Sequence, residues 1–271
     1  MCRLLGLAAR TPTTVTAALG RDGSAVFRSM ARLHRDGWGT AWHGPEGLEA
    51  SRVPGAGHVD PVLERMLERD AAAARLVHLR LATRGMACTA DNTHPFTDDG
   101  LAFAHNGSVP TDGPLERLVS PARAAGLTGT TDSERYFAAI RSRMDEGASA
   151  VEAAAATAAA LREAFPTRSA NALLLTPREL IAVHASDGVP VPLHEFRASG
   201  LTSAELPRHH EEGYYLLRWR RTEEGGVLVA STGLDPAGWA ALPAESVTRI
   251  DLATLDLETT PLAAEAARLV A

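Results

Sequence analysis

The 271-residue chain reads as an α+β protein whose helices pack on sheets. Three observations lead there. Apolar runs of strand length open the chain and recur after residue 170. Two consecutive stretches of helical period separate those groups, and neither an internal repeat nor a low-complexity linker divides the sequence, so one domain over residues 1–271 is expected. An apolar share of 45% with 22% charged residues allows a core that needs no disulfide support and excludes a disordered or collagen-like chain.

Taken in order, Arg3 to Ala9 is an apolar run of strand length. Trp38 to Trp42 and Leu48 to Val53 form two strands joined by the turn residues His43-Gly44-Pro45-Glu46-Gly47. Pro61 to Ala74 has helical period, with Pro61 in the first turn behind Asp60. Leu76 to Ala82 and Leu101 to His105 read as strands on either side of a polar, turn-rich segment. Thr130-Thr131-Asp132-Ser133-Glu134 is a cap ahead of Tyr136, Phe137 and Ile140, and Gly147 ends that helix. Ala150 to Phe165 is a second, Ala-rich helix stopped by Pro166. Five short strands follow: Asn171 to Leu175, Leu180 to His184, Tyr214 to Trp219, Val227 to Ala230 and Val247 to Leu252. The stretch 187–207 reads as loop.

A formal charge of −6 argues against nucleic acid as a partner. Every basic residue is Arg. The basic, aromatic stretch Arg218-Trp219-Arg220-Arg221 has little basic density around it and reads as a solvated strand face. No apolar run approaches the roughly 18–20 residues of a membrane span, and the start lacks the pattern of a signal peptide. Two cysteines, Cys2 and Cys88, make no disulfide scaffold. A soluble protein of a reducing cytoplasm is expected, with no membrane partner.

Cys2 is the most informative residue. A thiol needs a base to become a nucleophile. If Met1 is removed, Cys2 carries its own base, an α-amine whose ordinary pKa is about 7.7–8.0. Three segments could complete a site. In His78-Leu79-Arg80-Leu81-Ala82-Thr83-Arg84-Gly85, His78 and Arg80 share a strand face and Thr83 lies near the strand's end; the guanidinium could grip a carboxylate or simply lie at the surface. Phe103-Ala104-His105-Asn106-Gly107 brings a side-chain amide and an unhindered backbone N–H to one point, as an oxyanion hole requires, although Asn-Gly also makes tight turns. Asp132, at a helix start, is either a cap or a carboxylate for an ammonium group.

Together these segments resemble the class-II glutamine amidotransferases, a branch of the N-terminal nucleophile hydrolases. The matching residues are Met1-Cys2, Asp36-Gly37-Trp38-Gly39, the segment from His78 to Gly85, Asn92-Thr93-His94-Pro95-Phe96, Ala104-His105-Asn106-Gly107 and Thr131-Asp132-Ser133-Glu134. The match is strong to about residue 145, and it looks most like small stand-alone bacterial members. The resemblance implies an αββα sandwich, two sheets between helical layers. It implies that Cys2 attacks a glutamyl amide carbon, that Asn106 and Gly107 hold the oxyanion, and that Arg80, assisted by Thr83, and Asp132 bind the α-carboxylate and α-ammonium. Trp38 and His94 would support the pocket.

Three readings follow: a glutaminase passing ammonia to a separate synthase subunit, a hydrolase of a γ-glutamyl amide metabolite, and a catalytically silent glutamine-binding module. No cofactor or metal is expected: His209-His210 are adjacent and would diverge on a strand, and no phosphate-loop or dinucleotide pattern occurs.

Overall fold

The computed structural model describes residues 2–83 and 85–264; Met1 and Arg84, named in the motifs above, lie outside them. The strands are β1 (Arg3–Thr13), β2 (Trp38–Gly44), β3 (Gly47–Val53), β4 (Ala72–Leu79), β5 (Phe96–Asp98), β6 (Leu101–Gly107), β7 (Ala170–Leu175), β8 (Glu179–His184), β9 (Leu217–Arg221), β10 (Val227–Ser231), β11 (Ala240–Ala241), β12 (Ser246–Asp251) and β13 (Leu257–Pro261). The helices are α1 (Val15–Leu19), α2 (Arg21–Ser29), α3 (Pro61–Arg69), α4 (Pro114–Arg117), α5 (Pro121–Ala124), α6 (Asp132–Asp145), α7 (Ala150–Ala164) and α8 (Leu193–Ala198).

Two antiparallel sheets result. One runs β11-β9-β10-β1-β4-β2-β3 and the other β13-β12-β8-β7-β6-β5. Alternation along β1 explains how they stack. Leu4 and Ala8 face the second sheet and pack with Leu76, Ala102, Ala104, Leu173 and Leu180. Leu5 and Leu7 face the other way, onto Phe27 of α2 and Leu63 of α3. Phe103, Leu174 and Ile181 of the second sheet turn outward onto Tyr136, Phe137 and the Ala face of α7. The layers therefore run α, β, β, α. Each fully buried Leu contributes about 1.5–3 kcal/mol, so the alternation of β1 alone locks its register. No helix among the described residues is long and apolar enough to cross a membrane.

The expected helix over Pro61 to Ala74 stops at Arg69, because Asp70 is already extended at φ −88 and ψ 100. Ala72 and Ala74 instead pair with Thr13 and Ala8 of β1, a tertiary pairing that overrides the helix preference of an Ala run. The strand expected at Tyr214 begins only at Leu217. Helices α1 and α2, the edge strands β5 and β13, and α8 inside the stretch read as loop are additions to the sequence reading.

Candidate active site

Cys2 precedes β1 and by alternation shares the inter-sheet side with Leu4. Asn106 on β6 shares a strand face with Ala102 and Ala104, which enter the same layer from the opposite sheet. The two meet there: the Cys2 backbone nitrogen donates to Asn106 Oδ1 at 2.8 Å. With the oxygen so occupied, Asn106 Nδ2 is left buried and without a hydrogen-bond partner, beside the sulfur-bearing residue. A buried, unspent donor costs about 1–3 kcal/mol and marks a group held ready for something else. The Asn106 carbonyl accepts from Ser169 Oγ at 2.8 Å, which pins this end of β6 to β7. Gly107 has a packing reason to be glycine: a Cβ there would stand 1.8 Å from the Ser169 carbonyl oxygen.

The Cys2 thiol is almost fully buried, and its sulfur approaches the Leu81 carbonyl at 3.9 Å. Burial by itself opposes ionisation. The positive charge of the chain's N-terminus, then the charge and hydrogen bonding of His78, outweigh it and lower the thiol to about 5. The lowering favours the thiolate form at neutral pH.

Arg80 follows β4 and is buried, its Nη1 donating to the Asp36 carbonyl at 3.2 Å and its Nη2 to the Ala87 carbonyl at 3.3 Å. Asp36 works in both directions, since its carboxylate Oδ2 accepts the Ala82 N–H at 2.8 Å. The Asp36-Gly37-Trp38-Gly39 motif is therefore the brace that shapes the chain after β4. Asp132 is not the helix cap: Thr131 takes that role, accepting the Glu134 N–H at 3.0 Å. This leaves the buried Asp132 carboxylate to accept the Val109 N–H at 2.8 Å, just beyond Gly107. Thr83 is exposed and lies 3.5 Å from Ser108 Oγ.

His94 is buried, with its ring centroid 4.1 Å from that of His78 and 4.8 Å from that of Phe96. Burial, and then the charges of His78, His105 and Arg80, hold its pKa well below the usual imidazole range, so it is neutral. Gly39 admits this segment to the sheet, because a Cβ there would lie 2.1 Å from the His94 carbonyl oxygen. Trp38 points the other way. It packs with Phe27 and Leu63 in the outer layer and donates Nε1–H to Asp60 Oδ2 at 2.8 Å, so its support reaches the site only through β2. Cys88 is exposed and free. Among the described residues, no three His, Cys, Asp or Glu side chains gather to hold a metal ion.

Sequence reasoning missed Asp36 and Ser169 as site builders, and it gave His78 no role. Asp36 carried a signal, as the first residue of a quoted motif. Ser169 carried none, because its contact to β6 spans 63 residues. A cavity of about 320 Å³ opens at Leu81, Thr83, Ser108 and Ser169 and extends to Val191 and Tyr215.

Comparison with known proteins points to one family. YafJ of Escherichia coli (strain K12), whose name places it among glutamine amidotransferases, is 30% identical over 147 residues, covering 51% of this chain and 52% of YafJ. DUG3 of Saccharomyces cerevisiae, similarly named, is 28% identical over 169 residues, covering 54% of this chain and 46% of DUG3. The alignments thus span about half the length of these relatives. A class-II glutamine aminotransferase domain protein from Silicibacter pomeroyi superposes with a TM-score of 0.61 at 17% identity, over 96% of this chain and 99% of that one. An allosteric regulatory enzyme of purine biosynthesis also gives 0.61 at 17% identity, over 96% of this chain and 49% of its own; these two similarities speak to fold alone. Residues 1–246 match the profile of the class-II glutamine amidotransferases, and the chain, with its paired sheets and its cysteine at position 2, belongs to that family.

Proposed function

We propose that the protein hydrolyses a γ-glutamyl amide through a thioester on Cys2, releasing glutamate and ammonia or an amine. The observation that carries this reading is the Cys2–Asn106 contact, a lowered thiol beside a buried amide donor with nothing to bind. The thiolate attacks the amide carbon and a C–S bond forms. Negative charge moves to the carbonyl oxygen, where Asn106 Nδ2–H and the Gly107 N–H receive it. The C–N bond then breaks as the leaving nitrogen takes up the proton that left the thiol. Water attacks the thioester, yielding glutamate and the free thiol. With Met1 removed, the Cys2 α-amine, already directed at Asn106 Oδ1, is the base for both halves. Arg80 and Thr83 receive the α-carboxylate and Asp132 the α-ammonium.

The neighbouring cavity leaves room for a leaving group larger than ammonia. The space beside Leu81 and Ser169 is about 320 Å³, far more than a molecule the size of ammonia needs, and its wall includes the apolar Val189, Val191 and Tyr215 alongside the charged Arg168 and Glu195. A γ-glutamyl amide of an amphiphilic amine would use that wall, and glutamine would not. The test is glutamate release from L-glutamine and from a series of γ-glutamyl amides of growing size. Faster turnover of the larger amides supports this substrate class, and robust turnover of glutamine alone points instead to a glutaminase serving a separate synthase. A Cys2 unreactive toward a glutamine-mimicking electrophile would leave the binding-module reading standing.

A further inference from the structure

The inter-sheet layer holds a feature that the proposed reaction does not use. Both ring nitrogens of His94 are buried without hydrogen-bond partners, and those of His78 have no partner other than the Cys2 thiol. Orphaned ring nitrogens cost about 1–3 kcal/mol each, a large outlay unless the rings serve some purpose beyond packing. His78 stands on β4 opposite Leu4 in register, so its side chain joins Cys2 on the side of β1 that faces the second sheet. His94 packs against it at a tilt of 35° from the segment before β5 and is held neutral there.

The groups around His78 are mostly cationic or neutral. Arg80 follows it on its own strand, and Arg3, on β1, is buried with its guanidinium carbon 3.9 Å from the Tyr214 ring centroid. His34 is buried, and burial, followed by the Arg3 charge, keeps it neutral. His105 of β6 is turned to the outer face, with Nδ1 3.0 Å from Ser133 Oγ. Cys2 is the group in this set that can become an anion, and the sulfur is sensitive to the charge of His78.

We propose that His78 is a second proton acceptor for Cys2, with the neutral His94 ring packed against it to fix its orientation. The S–H bond breaks, the proton passes to a His78 ring nitrogen, and a thiolate–imidazolium pair results. The same proton is then available to the leaving nitrogen. The α-amine and the imidazole are thus alternative holders of one proton, and the thiol can ionise even while Met1 still blocks the amine. The inference builds on the proposed role of Cys2 as nucleophile, yet its test needs no glutamyl substrate.

The experiment is the rate of Cys2 alkylation by iodoacetamide against pH, for the native chain and for His78→Gln, each with Met1 retained and with Met1 removed. Mass spectrometry separates Cys2 from Cys88. In the Met1-retained form, His78→Gln is expected to raise the midpoint by at least about one pH unit and slow alkylation near pH 6 by about tenfold. An unchanged midpoint in that form overturns the proposal. If His78→Gln does not fold, the native protein labelled with ¹⁵N-histidine decides. On alkylation of Cys2 the His78 ring nitrogens should move from imidazolium to neutral shifts, while His43, bound to the Thr176 carbonyl, stays put. No movement at His78 overturns the proposal equally. Failure of γ-glutamyl hydrolysis with this alkylation profile intact would count against the proposed function alone.

Discussion

Asn106 offers the sharpest single perturbation, because one side chain serves two contacts that can be removed separately. Asn106→Asp keeps an acceptor for the Cys2 nitrogen, now 2.8 Å from Oδ1, but replaces the unpartnered Nδ2 donor with a second oxygen. Losing one oxyanion donor costs about 2.7–4 kcal/mol of barrier, so kcat should fall by about 10²–10³. The new carboxylate also adds negative charge beside the sulfur and should raise the thiol from about 5. Asn106→Ala removes the acceptor as well and strands a buried N–H, which adds about 1–3 kcal/mol of destabilisation. The assay is steady-state glutamate release from the best γ-glutamyl amide, with thermal unfolding in parallel. Because the glutamyl head is assigned to Arg80 and Asp132, KM should stay within about threefold for Asn106→Asp. A kcat within about fivefold of native in both variants would refute the oxyanion role and with it the alignment of Cys2 against β6.

Other outcomes follow from the same geometry. Asp132→Ala should raise KM for γ-glutamyl amides more than it lowers kcat, and should free the Val109 N–H, visible as faster amide exchange there. Gly107→Ala places a methyl 1.8 Å from a carbonyl oxygen; a lowered Tm and lost activity are expected, with destabilisation of about 1–3 kcal/mol or more. Trp38→Phe loses the bond to Asp60 and should cost about 1–3 kcal/mol in denaturant unfolding without moving KM. The thiol also predicts a pH dependence of stability. Its native value of about 5 lies below its ordinary 9.0, so the unfolded chain binds more protons between these values. Stability from this group is full above about 9, declines as pH falls, and is gone below about 5. Cys2→Ser should flatten that slope in urea titrations.

Much of this architecture was legible because it is local. Alternation in β1, the hairpin of β2 and β3, and the capped helices α6 and α7 all express short-range period and turn chemistry. The segment 15–29 was not, since Gly20 and Gly23 interrupt its pattern and its helices are short. The boundary between α3 and β4 was misread because alanine prefers helix, and only the partner strand decides otherwise. For the site, Cys2, Arg80, Asn106, Gly107 and Asp132 were visible as motif residues. The assignment of Thr131 rather than Asp132 to the cap was not, because both are good capping types and only the Val109 contact separates them. The His78–His94 ring contact joins residues 16 apart across a loop, and nothing in sequence spacing announces it.

Nucleophile and amide donor are carried by different sheets, which touch through interdigitated Leu and Ala side chains. Their separation is therefore a property of the whole sandwich rather than of any loop. A substitution deep between the sheets, such as Leu173→Ala, should dull the enzyme before it melts it, as the two halves drift apart by fractions of an ångström. On the proposed mechanism, catalytic rate would gauge how tightly its middle is shut.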